Sequence, residues 1–471
     1  MSAATTAQDA VEPIDDPYTL HQKNIKEPPK GWRKSMRYFG PGLIMSASIV
    51  GSGELIATTA AGAEVGFALL WLVIISTFVK VAIQIELAKW SITTGQTGLT
   101  GFNRVPPKIG KAGWITWLWL LMAIAKITQM GGVAGGTAVA LSLLFPFGGE
   151  PLNPTTLAIW TGIVVITSIA FLYSNKYGLI EAVSTALVVT FSLLTVVMAL
   201  GLPFTPFAYG WEEIALGLSL TLPAVGVAIA MFGITGVGSD EITFYTYWVV
   251  EKGYASYTGP NDGSEEWKQR ADGWIKVMKR DSWLSWVIYT STTLGFYIMG
   301  AAVLHPQGLV PAGNDVITTL ARMYTDLVGE WAMYAFLIAA LAALASTLWA
   351  AVPSHSRLWA NFFANVGAFD WQRDIKKRML FIRIFTVFLP IAWGLMYLVF
   401  RAPVLMVQIG GIATGIFLLA VVVGTWYLRR TETDRSALGS KAWLVLLVIS
   451  SAAIAVLGIY TVLTVFGLSL G

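Results

Sequence analysis

The chain has 471 residues, of which 55% are hydrophobic and 12% charged, with a mean hydropathy of +0.65. Soluble globular domains carry about 25% charged residues, so this composition excludes that class and points to a chain embedded in a bilayer. Cysteine is absent, which excludes disulfides, thiolate metal sites and thiol catalysis together. The formal net charge of +4 matters less than where the charges lie.

Residues 1–37 read as a flexible polar tail containing Pro13, Pro17, Pro28 and Pro29 and ending in the basic cluster Lys30, Arg33, Lys34, Arg37. It lacks the apolar core of a cleavable signal. Eleven apolar runs follow, near 38–63, 66–88, 113–145, 156–173, 178–201, 216–250, 282–304, 326–352, 379–400, 403–428 and 441–468. Many reach the roughly 20 residues needed to cross a hydrocarbon core. With the N-terminus placed in the cytoplasm, inner connections hold 26 Lys and Arg and outer ones only Arg322 and Arg401, while Lys80, Lys126 and Arg383 lie inside runs. The positive-inside rule therefore predicts a cytoplasmic N-terminus and an external C-terminus.

The longest inner connection, roughly 251–281, mixes Trp267 and Trp274 with charges. It reads equally as an interfacial amphipathic helix or a solvated linker. Tryptophans near run ends, Trp71, Trp114 and Trp248 among them, form an aromatic belt and receive no functional role.

Two runs are interrupted in the same way. Val50-Gly51-Ser52-Gly53-Glu54-Leu55 recurs as Val237-Gly238-Ser239-Asp240-Glu241-Ile242, preceded by Gly233 and Gly236. Glycines at this density let the backbone leave helical geometry. Unwound turns at membrane depth free carbonyls for a cation and amides for an anion, and paired interruptions mark transporters built from a repeat. Carboxylates there are costly and default to function, although Glu54 and Glu241 could instead serve the helix dipole. On a regular helix Asp240 and Glu241 point about 100° apart, so they are not expected to face one ligand together. Oxygen-only donors of this kind suit hard cations such as magnesium, calcium or manganese.

Lys80 and Lys126 are buried by position and each needs a partner. Lys80 either snorkels to the interface or finds its partner on another helix, Glu86 being poorly spaced for it. Lys126 could reach Glu54 or Asp240 and stand in for a bound cation, and a direct salt bridge there would weaken a cation-binding reading. Gly131-Gly132-Val-Ala-Gly135-Gly136 is a small-residue packing surface. His355, after Pro353, reads as interfacial. The three histidines form no metal cluster, and no catalytic constellation is present, so an enzyme is not expected.

Phe39-Gly40-Pro41-Gly42-Leu43, Ala61-Gly62-Ala63-Glu64-Val65-Gly66-Phe67, Leu70-Trp71, Gln84 and Thr94-Gly95 resemble the first two helices of Nramp metal-ion transporters. The resemblance implies an all-α membrane protein of eleven helices with the LeuT-type fold, two inverted five-helix repeats whose helices 1 and 6 are broken. The repeats would span about 38–201 and 216–428, with an extra helix at 441–468. The family's first-helix Asp-Pro-Gly-Asn stands here as Gly51, Ser52, Gly53 and Glu54, and its sixth-helix Met-Pro-His as Gly238, Ser239 and Asp240. Its third-helix acids fall at Ala123, Met130 and Val133, and its tenth-helix glutamine near Thr414. Gly51-Ser52-Gly53 is also similar to the Gly-Ser-Gly turn of amino-acid transporters in the same superfamily, where freed amides hold a carboxylate.

Two functions stay open. One is a secondary transporter for magnesium or manganese, with Glu54 and Asp240 as metal ligands helped by Ser52, Ser239, Glu241, Thr414 and freed carbonyls, and with Lys126, Lys80 and Glu86 balancing charge. The other moves a small amino-acid-like or amine solute held at amides 51–54. No resident cofactor is expected beyond the transported cation and a coupling proton or sodium. The expected partners are the bilayer and a small ion or solute, not nucleic acid, with the oligomeric state left open. The expected location is the bacterial inner membrane.

Overall fold

The computed structural model describes residues 16–147, 150–173 and 177–467. Among the described residues the chain is all-α apart from one two-residue hairpin pairing at Lys108–Ile109 and Ala112–Gly113. The main helices are α1 (Pro41–Ile49), α2 (Thr59–Val65), α3 (Leu70–Thr94), α4 (Trp114–Leu144), α5 (Pro154–Leu172), α6 (Tyr177–Gly201), α7 (Val225–Ile234), α8 (Ser239–Glu251), α9 (Glu265–Met299), α10 (Ala332–Asn365), α11 (Ile375–Phe400), α12 (Pro403–Thr431) and α13 (Lys441–Val465). By length and composition, ten helical stretches among the described residues can cross a membrane. The first of these runs Glu54–Thr94 through an interruption at Gly66, joining parts of the first two expected runs.

Local signals set the helix starts. Pro41 and Pro403 open α1 and α12, where a missing N–H costs nothing. The Asn153, Ser264 and Ser440 side chains cap α5, α9 and α13. The α1 start borrows its cap from a distant helix: Asp281 on α9 accepts from Gly40 N at 3.2 Å and Gly42 N at 2.7 Å. The outer helices turn apolar side chains outward, as on α13, where Val445, Ile449 and Val456 are 57%, 58% and 67% exposed.

The connection expected as an interfacial helix or linker belongs to neither class. From Glu265 it is the first half of α9, one helix of 35 residues, and Trp267 and Trp274 are buried. Trp274 packs among Tyr38, Tyr254 and Tyr257 and donates its indole N–H to Lys26 O at 2.9 Å. The described part of the N-terminal tail is likewise docked. Asp16 pairs with Arg378 of α11, Tyr18 donates to Glu251 at 2.5 Å, and Leu20 covers Gly95 at the end of α3. Tail residues 1–15, including Pro13, lie outside the described residues.

Small residues bring the inner helices close. Gly131 and Gly132 of α4 face Trp393 O and Pro403 O, and Gly233 of α7 meets Gly411 of α12 so tightly that a Cβ would overlap the Gly411 carbonyl. Gly226, on the same helix, has open space around it. Gly233→Ala is therefore expected to lower stability by about 1–3 kcal/mol through overpacking. Gly226→Ala is expected to be neutral or to gain up to about 1 kcal/mol from helix propensity. Thermal unfolding in detergent compares the two, and equal midpoints would refute the close-contact reading.

Candidate functional site

The two interrupted helices take different forms. In the first, Val50–Thr58 winds as a π-helix between α1 and α2 rather than opening into an unwound turn. The cause is one side chain: Thr347 of α10 accepts from Gly51 N at 2.9 Å and donates to Ala47 O at 2.8 Å. That hydroxyl splits the bond an α-helix would make between these two groups, and an inserted side chain of this kind widens the ladder. The Gly51 amide is therefore engaged rather than free for a substrate carboxylate. Gly51 itself is held against α10, where a Cβ would strike Thr347 and Ala343 O. The side chain of Ser52 and the surroundings of Gly53 lie outside the described parts.

The second interruption is open. Between α7 and α8 the backbone is extended at Thr235 (ψ 132°), left-handed at Gly236 (φ 66°) and extended at Gly238 (ψ −179°). Lys80 does not snorkel. It is fully buried, and its ammonium donates to Phe232 O and, at 2.7 Å, to Thr235 O. These carbonyls end α7, where the helix dipole also favours a positive charge. Their partner is a backbone feature, which no spacing of charged residues could indicate.

Glu54 joins the two interruptions. Its Oε1 accepts from Gly236 N at 3.1 Å and its Oε2 from the Thr58 hydroxyl at 3.1 Å. The carboxylate is completely buried.

Asp240 and Glu241 do face one partner together, against the expectation for a regular helix. Lys126 Nζ lies 2.9 Å from Asp240 Oδ2 and 3.2 Å from Glu241 Oε1. Both acids stand in the first turn of α8, beyond the extended Gly238, and Glu241 folds back over that glycine into space a Cβ would need. The longer glutamate thereby reaches the same lysine as its neighbour. His355 is not interfacial: it is 4% exposed, its Nε2 lies 3.1 Å from Asp240 Oδ2, and its Nδ1 lies 2.8 Å from Ala351 O. Within α10 the polar run Ser354-His355-Ser356-Arg357 is the signal that could have placed it.

Thr414 of α12 and Gln129 of α4 complete the centre. They line a cavity of about 10 Å³ with Lys126, Glu241, Gly236 and Ile49, room for about one water-sized particle. Of the residues lining it, Gln129 and Thr414 have a buried oxygen with no hydrogen-bond partner among the described residues, as do Asp240, held by the same Lys126, and Ser239, its neighbour in sequence. Buried oxygens are rarely left unpaired, and such a group calls for an explanation. Gln129 escaped the sequence reading, although it sits one turn from Lys126 on the same face. Among the described residues, no three His, Asp or Glu side chains form a ready metal cage.

Glu86 belongs elsewhere. It contacts Lys89 and Arg429 near the far end of α3, not the central cavity. Trp248, assigned to the aromatic belt, is also internal: its indole donates to Ser354 at 3.0 Å, and the Arg357 guanidinium lies 4.6 Å from its ring centre.

Comparison with known proteins places this geometry. The family model described as natural resistance-associated macrophage protein-like matches residues 42–464. An uncharacterized protein of Pasteurella multocida is 23% identical over 306 residues, 64% of each chain. The metal transporter Nramp6.2 of Populus trichocarpa is 31% identical over 165 residues, 34% of this chain and 28% of that protein. The matched stretch thus spans less than two thirds of either relative. A manganese transporter of Eremococcus coleocola, solved as a mutant, superposes with a TM-score of 0.63 at 13% identity over 95% of this chain and 90% of that one. The overall architecture is therefore the LeuT-type transporter fold. Since the family model runs through nearly the whole helical bundle, the chain belongs to the Nramp family of membrane transporters.

Proposed function

We propose that this protein is a secondary transporter of a hard divalent cation, magnesium or manganese, taken between the two interrupted helices. One observation carries the reading: Gln129 and Thr414, whose buried oxygens are unpartnered, line one cavity with Glu241 and Lys126, and Lys126 also holds Asp240, whose Oδ1 is unpartnered as well. Such an all-oxygen set, without thioether or thiolate, favours hard ions. The Lys126 salt bridge counts against a site already prepared for a cation, unless Lys126 itself takes part in loading. Its ammonium holds Asp240 and Glu241 while the site is empty, and an arriving ion must displace it.

The cavity of about 10 Å³ is too small for a hydrated ion, so loading and release require the helices to part. In the proposed cycle the groups bearing the two interruptions rock against the remaining helices, as in alternating access. Eleven passages with the N-terminus in the cytoplasm, in a bacterial inner membrane, complete the proposal. The support is the 26-to-2 distribution of basic residues.

The presence of Lys80 and Lys126 favours a second reading in one respect. A solute bearing an amine could displace Lys126 just as an ion could. The engaged amide of Gly51 argues against the carboxylate half of that reading.

Flux into liposomes tests the proposal. Glu54→Gln keeps the shape but loses the charge-assisted acceptance from Gly236, and a bond of that class is worth about 1.5–3 kcal/mol. Magnesium or manganese uptake is expected to fall about tenfold or more. If the variant transports as well as the parent, and magnesium, manganese and calcium give no binding heat, the cation reading fails. Thermal stabilisation by amino acids or amines would then support the solute.

A further inference from the structure

Glu86 takes no part in the central site, and the cations around it outnumber it. Buried on α3, it holds Lys89 Nζ at 2.6 Å, the Arg429 guanidinium of α12, and the Trp443 indole N–H of α13 at 2.5 Å. Lys89 and Arg429 also donate to Leu438 O, at 3.2 and 3.1 Å. On the other side of the cluster, Lys279 of α9 brings its ammonium to 5.1 Å from the Trp443 ring centre, beside that of Lys89 at 5.2 Å. Three helices thus bring three cations around Glu86 and Trp443, which a fourth helix supplies. Among the described residues no carboxylate pairs with Lys279. Asp272, two turns earlier on α9, is held by Lys276 at 2.6 Å.

Surplus charge that is partly buried calls for a counter-charge. The position of the cluster says what kind. It lies at the end of α3 where the N-terminal segment docks, since Leu20 covers Gly95 there. Trp443 stands in the first turn of α13, the depth at which indoles sit among headgroups. Just beyond it, Val445 and Ile449 face outward at 57% and 58% exposure, so lipid flanks the cluster. A basic pocket between helices at the headgroup level is a surface that retains anionic lipid.

We propose that Lys279, Lys89 and Arg429, gathered around Trp443, form a binding site for the phosphate of an anionic phospholipid. The lipid belongs to the leaflet at the N-terminal face, the cytoplasmic one in the orientation proposed above. Half-buried Lys279 is the arm that meets the phosphate. Lys89 and Arg429, fixed by Glu86 and Leu438 O, supply the positive floor beneath it.

Native mass spectrometry of the full chain, with phosphatidylglycerol, phosphatidylcholine or phosphatidylglycerol plus inorganic phosphate, tests this site. Phosphatidylglycerol is expected to be retained over phosphatidylcholine, and millimolar inorganic phosphate is expected not to displace it. Lys279→Gln should weaken phosphatidylglycerol retention about fivefold, the effect of one lysine near a membrane surface. Lys279→Arg should preserve retention, as should Lys276→Gln, whose lysine is already paired. Melting in phosphatidylcholine, read alongside, shows whether the glutamine variant folds, and the arginine variant carries the test if it does not. Equal retention of both lipids, or full retention by Lys279→Gln, would overturn the proposal. Displacement by inorganic phosphate would also overturn it, by making this a site for a free anion.

Discussion

Lys126→Gln is expected to melt well below the parent protein in divalent-free buffer and to recover when magnesium or manganese is added. The substitution leaves Asp240 and Glu241, which sit 2.9 and 3.2 Å from the ammonium in the parent, as adjacent buried acids. Removing one partner from a buried ion pair costs about 3–5 kcal/mol, mostly because the remaining charge is uncompensated. A divalent ion that enters the vacated place supplies that compensation and no longer competes with a tethered cation. Its apparent affinity is expected to rise about tenfold or more, and at a hundred times its dissociation constant it returns about 2.7 kcal/mol. Melting curves over a cation series, paired with titration calorimetry, read both effects. If the variant melts low and no cation restores it, Lys126 is only a structural counter-ion, and the displacement step has no support.

Arg357→Met is expected to be comparably damaging at the other end of α8. Arg357 is buried and grips Glu251 through two bonds, Nε to Oε1 at 2.5 Å and Nη2 to Oε2 at 2.8 Å. Tyr18 of the N-terminal segment donates to the same carboxylate, and Arg378 stacks 4.6 Å over the Tyr18 ring while pairing with Asp16. One carboxylate thus ties α8, α10 and the N-terminal segment together at this face. Loss of the arginine is expected to cost about 3–5 kcal/mol. The double variant with Glu251→Gln should recover part of it, because the stranded charge is then gone. The chain has no cysteine, so Thr414→Cys in the central cavity reports opening directly. Maleimide labelling from the N-terminal side should be faster in Arg357→Met than in the parent. Unchanged labelling with lowered stability would show that the tie holds the fold without closing the passage.

Part of this architecture is legible in the sequence, and the rest is not, for physical reasons. The apolar runs were legible because lipid requires them, and the second interruption because Gly233, Gly236 and Gly238 fall within six residues. The form of the first was not legible. Glycines permit departure from the α-helix, but the π-winding depends on Thr347, almost three hundred residues away. The need of Lys126 for an acid, with Asp240 as one candidate, is legible, since a buried lysine has few other options. Lys80 satisfied the same need with backbone carbonyls, which carry no letter in the sequence. A regular helix would hold Asp240 and Glu241 apart, whereas they occupy a first turn whose lead-in is extended and whose glutamate bends back.

The tethered ammonium of Lys126 also bears on how an empty carrier behaves. Bare carboxylates are costly to carry through a low-dielectric interior, so a site built from acids alone would resist changing state unloaded. Here the counter-charge is covalently attached and is always at hand. In the proposed cycle, reorientation of the unloaded protein leaves the Asp240–Glu241 pair half neutralised instead of bare, and taking on a divalent ion exchanges one tethered positive charge for two mobile ones.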